Sequence, residues 1–184
     1  MRLVILIFSV FLLSFPSYSS DRLIDKSKKA IAELQKNLKS ELQNAMREGG
    51  PKNALKVCNI KAPKINKSVS ADTKVKIKRV ALKYRNPDNK PDEWEKSALE
   101  EFINKKNSGE NIHNLEAVKN AEDYFRYMKA IPMGGVCAAC HGTNVSKPLK
   151  ADILKLYPND KATGFKPGDI RGAFSVKIKK PFID

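Results

Sequence analysis

The pentapeptide Cys137-Ala138-Ala139-Cys140-His141 constrains this chain more than any other segment. C-x-x-C-H is the pattern to which haem c is attached. Two thiols three residues apart add to the two vinyl groups on one edge of the macrocycle. The imidazole that follows reaches the iron from one face. Gly142, and Gly134-Gly135 before the motif, are expected to let the backbone pass close to the ring. Three other readings compete: a redox dithiol, a zinc half-site and a structural disulfide. A thioredoxin-like pair has different flanks, zinc lacks a second cysteine pair, and a disulfide gives His141 no role. A single motif predicts a single covalent haem c, held by Cys137 and Cys140 with His141 on the iron, and rules out a multihaem wire.

Haem c is attached outside the cytoplasm, and the N-terminus reads as an export signal. Arg2 precedes an apolar run from Leu3 to Phe15, and Ser17-Tyr18-Ser19 offers small residues where a signal peptidase reads. A basic start, an apolar middle and a small-residue exit predict a signal peptide over 1–19, leaving one domain over 20–184 in the periplasm. The run is shorter than the roughly 18–20 residues a spanning helix needs. No cysteine near the cleavage point suggests a lipid anchor. No second long apolar run follows, so the exported chain is expected to be soluble or at most peripheral to a membrane.

Charge narrows the partners. The formal net charge is +15. Such a surface keeps a protein soluble, attaches it loosely to anionic lipid, or steers an acidic redox partner. Nucleic acid is excluded as a partner, because the lysines are scattered with no aromatic platform between them.

Periodicity gives the elements. Ile31, Leu34, Leu38, Leu42 and Met46 recur at three- and four-residue steps and predict a helix over 21–47. Gly49-Gly50-Pro51 should end it, and Pro51 should open a second, short helix. Ala54, Leu55, Cys58 and Ala62 share a face of that helix, and Pro63 is expected to close it. A strand is expected over 74–82, a turn at Asn86-Pro87-Asp88-Asn89, and a third helix from Pro91 to Asn107-Ser108-Gly109. Trp94, Leu99, Phe102 and Ile103 mark its buried side. Tyr124 to Met128 suggests a strand, 151–157 one or two helical turns, and 170–178 a terminal strand. Helices precede and interrupt strands without regular alternation, which predicts an α+β fold.

The other face of the iron has few candidates. Beyond His141 there is no further His, Met or Cys. Upstream stand Cys58, His113, Met46, Met128 and Met133. Cys58 has no intramolecular disulfide partner once haem takes the other two cysteines. A free thiol outside the cytoplasm is a liability unless buried or coordinated. It reads equally as a small buried hydrophobe and as an iron ligand. His113 lies in a polar stretch and reads as a surface residue. Met46 belongs to the first helix's stripe and reads as core. Met128 and Met133 are expected to pack near the ring.

Several segments together resemble the periplasmic c-type haem domains of PAS-like fold that occur alone or ahead of sensor kinases. They are Val57-Cys58 with Ala62-Pro63; Arg79 with Leu82 to Asn89; Pro91-Asp92 with Trp94-Glu95; and Tyr127 to Ile131. Cys137 to Gly142, Tyr157-Pro158 with Asp160-Lys161-Ala162, and Gly168 to Val176 follow in the same order. The resemblance implies a PAS-like antiparallel sheet flanked by helices, with haem at its side. It also implies Cys/His ligation, carried onto His141 and Cys58. A thiolate donor holds the ferric state and lowers the reduction potential. Arg79 or Arg171 would pair with propionates or remain at the surface. The chain ends soon after the last expected strand, so a signal would pass to a partner protein.

Two functions follow. One is a redox or gas sensor-like haem protein in which the Cys58 ligand is lost or swapped. The alternative is periplasmic electron transfer through an acidic partner. Either way the partner is an unidentified redox or signalling protein. An enzyme is not expected, because no acid–base pair can be named. The long first helix serves a subunit interface or a core equally well.

Overall fold

A computed structural model describes residues 20–180. The expected leader over 1–19 lies outside the described residues. The first helix, α1, runs Ser20–Lys56 with a kink where Gly49 and Gly50 leave helical geometry. Gly50 takes φ 62°, the left-handed region that glycine enters without a Cβ penalty. Pro51 restarts the helix, as the sequence indicated.

Pro63 departs from expectation. The chain does not leave helical geometry there. A wide π turn, Val57–Lys61, runs directly into α2, Ala62–Asp72. A proline inside an α-helix lacks an N–H and crowds the carbonyl four residues back. The π turn opens the ladder, so Ala62 N–H bonds Val57 O, five residues back. Pro63 then occupies the first turn of α2, where no N–H is needed. Ile65 and Val69, one turn apart, face the core. Cys58 therefore sits inside the widened turn.

The four strands are β1 (Lys76–Val80), β2 (Glu116–Asn120), β3 (Tyr124–Pro132) and β4 (Ile170–Lys179). They form one antiparallel sheet in the order β1-β4-β3-β2. The α+β class and the antiparallel sheet stand as expected. Strand β2 was missed because it is an edge strand with largely exposed residues, which carry no clean alternation. The third helix, α3, spans Glu93–Asn107. The motif forms a short helix, α4 (Ala138–His141), and α5 runs Lys147–Leu156, one turn earlier than expected because Pro148 suits its first turn.

Alternation along the strands makes two cores. Phe125, Tyr127, Phe174, Val176 and Ile178 face Leu23, Ala30, Ile31 and Leu34 of α1. Met128, Ala130 and Ala173 face Ala98, Leu99 and Phe102 of α3. The α3 side also holds a buried carboxylate. Glu95 accepts Ser175 Oγ (2.7 Å) and the Asp92 N–H (2.9 Å), and pairs with Lys78 (3.0 Å) and Arg126 (2.9 Å). Asp92 returns the bond by accepting the Glu95 N–H, which completes a capping box. Arg126 also stacks on Trp94, 4.4 Å from the ring centre.

Candidate functional site

The α1 stripe changes task along its length. Ile31 and Leu34 enter the core, with Leu38 packed against it. Leu42 and Met46 pack instead with Ala45, Ala54 and Val57, and line a cavity of about 190 Å³. The cavity lies where β1 and β3 end and β4 begins, walled by Val80, Ala81, Ile131, Pro132 and Gly172. Cys58 enters the lining from the π turn. Cys137, Cys140 and His141 enter from the short helix. The structure thus brings together the four residues singled out in sequence.

The motif helix sets the geometry of its own side chains. A 3₁₀ turn, Gly135–Cys137, leads into α4. At helical spacing, residues three apart share a face, so both thiols belong to one side. All three cysteines are free and half-buried. Gly142 has a steric reason of its own: a Cβ there would lie 2.6 Å from Ala138 O, which already accepts the Gly142 N–H at 2.9 Å. Gly134 and Gly135 have room for a Cβ among the described residues.

His141 is fixed by a backbone carbonyl. Its Nδ1 lies 2.7 Å from Ala162 O. A carbonyl can only accept, so Nδ1 carries the proton and Nε2 keeps its lone pair. Burial, helped by Arg171 and Arg85, pushes the imidazolium pKa down to about 2. The ring is therefore neutral at physiological pH, the form that binds a metal.

Cys58 has the opposite tendency. Burial pushes its thiol pKa up, and Arg79 and Arg85 pull it part of the way back. The isolated side chain stays a thiol, and only coordination to a cation would expel its proton. This pocket fits an iron-bound macrocycle on chemical grounds: apolar walls, a neutral imidazole, a thiol and three arginines. Arg79, Arg85 and Arg171 all line it, and no Asp or Glu does. Their mutual repulsion adds to burial in lowering the Arg171 pKa to about 10. Two carboxylate groups would relieve that repulsion.

Arg85 and Asp160 escaped the reading of site residues. Arg85 donates to Asp160 through Nε (3.0 Å) and Nη2 (3.2 Å), and through Nη2 to Cys140 O (2.7 Å). Nothing in spacing or periodicity joins positions 75 residues apart. His113 is exposed on a 3₁₀ turn, Ile112–Asn114, and does not line the cavity. Met46 lines it as well as packing in the helix stripe. Met128 and Met133 are buried and are not among the residues that line the cavity. Alternation sends Met128 to the α3 side of the sheet.

An antiparallel sheet layered by α1 and α3, with a cysteine-pair–histidine motif, a lone cysteine and three arginines lining one cavity, defines an α+β pocket domain. The sequence pattern of the Tll0287-like family matches residues 18–179, and the chain belongs to that family. The crystal structure of the cyanobacterial heme-protein Tll0287 is similar, with a TM-score of 0.69 and 28% identity over 90% of this chain and 100% of that one. No curated protein matches the chain.

Proposed function

We propose that this chain is an exported haem c protein of the periplasm, acting as a redox or gas sensor-like centre. In this reading Cys137 and Cys140 would hold the haem as thioethers, and His141 through Nε2 and Cys58 through its thiolate would hold the iron. The convergence of Cys58 and the motif on one cavity carries it. The kinship with a cyanobacterial heme-protein supports the cofactor. When bound, the haem would supply an iron centre able to change oxidation state and to take a small ligand.

Cys58 favours switching over plain electron transfer. Burial raises its thiol pKa, so a weakened iron bond would let it reprotonate and leave. The π turn that presents it is a locally wide, less tightly bonded piece of helix. Arg79 and Arg171 would hold the propionates. We read the protein as a non-enzyme that reports to a redox or signalling protein. Peripheral association with anionic lipid would be compatible with its charge. Electron transfer to an acidic partner is the second reading, favoured by the +15 net charge.

EPR of the ferric protein beside Cys58→Ala tests this. A low-spin thiolate signal that disappears in the variant is expected. A spectrum unchanged by the substitution would remove Cys58 from the iron. CO or NO binding to the reduced protein is the expected mark of gas response. Failure to bind either, with the thiolate retained, would move the assignment to electron transfer.

A further inference from the structure

Arg85 and Asp160 form a buried ion pair whose cost needs a reason. Arg85 is 8% exposed and the Asp160 side chain 4%. Desolvating two charges is expensive, and a pair is weak evidence for stability by itself. Neither residue lies in a strand or helix. Arg85 follows β1, and Asp160 lies between α5 and β4.

Their bonds close a ring around the motif. Asp160 Oδ1 accepts the Ala162 N–H at 3.0 Å, and Ala162 O accepts His141 Nδ1 at 2.7 Å. Arg85 grips both oxygens of Asp160 and the carbonyl of Cys140, the residue before His141. The strand of backbone that follows is strapped to the motif as well: Gly164 N–H bonds Gly142 O (3.0 Å), and Phe165 N–H bonds His141 O (3.1 Å). A carboxylate bonded to the N–H of the Ala162 residue adds negative potential beside the carbonyl that His141 uses. The Ala162 N–H and the Ala162 carbonyl belong to adjacent peptide groups, so the carboxylate acts on that carbonyl by its field and by fixing the residue's position. Partners behind a ligating histidine fix its tautomer and raise its basicity.

We propose that Arg85 and Asp160 are positioning residues that hold His141 and set how strongly its ring donates to a bound iron. This rests on the haem reading above. Asp160 fixes Ala162 and places negative charge beside its carbonyl, and Arg85 limits that charge while locking the motif helix to it. The two therefore act in opposite senses on the imidazole.

The test uses the full haem-loaded protein. Two readouts are taken: the reduction midpoint, and the iron–histidine stretching band of the reduced protein by resonance Raman in a Cys58→Ala background. Asp160→Asn is expected to raise the midpoint and lower the band frequency. Arg85→Gln is expected to lower the midpoint and raise the frequency. If one variant fails to retain haem, the other carries both readouts. A midpoint that moves while the band stays at its parent position marks a charge effect on the iron that bypasses His141 and overturns the proposal. So does a parent band that neither variant moves. Absence of the band in the parent overturns the haem-site reading and this proposal with it.

Discussion

At His141 the backbone, not the ring's neighbours in sequence, decides which nitrogen is left for a metal. Ala162 O occupies Nδ1, and burial keeps the ring neutral. Gly142, the residue after the motif, is under equal local constraint. Gly142→Ala would drive a Cβ to 2.6 Å from the Ala138 carbonyl, a backbone atom that cannot turn aside. We expect the variant to lose about 1–3 kcal/mol of stability, the usual cost of overpacking, and to carry less haem per chain. A denaturant midpoint and a haem-to-protein ratio equal to the parent's would show that α4 yields more easily than this. The residue-scale reading of the sequence was strongest here, because C-x-x-C-H is local. It missed Arg85 and Asp160, which matter through a hydrogen bond to Cys140 O and another to the Ala162 N–H.

At the scale of elements, proline and charge each did more than expected. Pro63 was expected to stop a helix, yet the π turn before it lets the helix run on to Asp72 and places Cys58 in the wide part. The start of α3 beside Pro91 was expected, whereas the capping box between Asp92 and Glu95 emerged only in the structure. Glu95 has a second task that its position in the helix did not reveal. It is buried against Ser175, Lys78 and Arg126, joining α3 to β4, β1 and β3. Glu95→Ala leaves the Arg126 guanidinium without that partner in a nearly dry place. We expect a loss of about 3–5 kcal/mol, as for removal of one member of a buried pair, read from urea unfolding. A loss below about 0.5 kcal/mol, typical of surface changes, would mean that the network is solvated.

Over the whole molecule, the dominant quantity is the net charge of +15. Under the electron-transfer reading, exchange with an acidic redox protein should slow as salt screens the approach, since the Debye length shrinks from about 10 Å at 0.1 M to about 3 Å at 1 M. A stopped-flow rate independent of ionic strength would remove charge steering from that reading. Sequence by itself determined the α+β class, the first helix and its break at Gly49-Gly50, the third helix, the last strand and the cysteine-pair–histidine motif. Each rests on neighbours within a few positions, where periodicity and backbone sterics act. Tertiary structure alone decided that β2 pairs at the sheet edge, that the second half of the α1 stripe walls a cavity instead of a core, and that Met128 points away from it. It also closed Arg85, Asp160, Ala162 and His141 into one ring of hydrogen bonds, while Cys58 reached the motif's cavity as the family resemblance implied. Those choices depend on which surfaces meet once two faces of a sheet have been covered, and no local pattern carries that information.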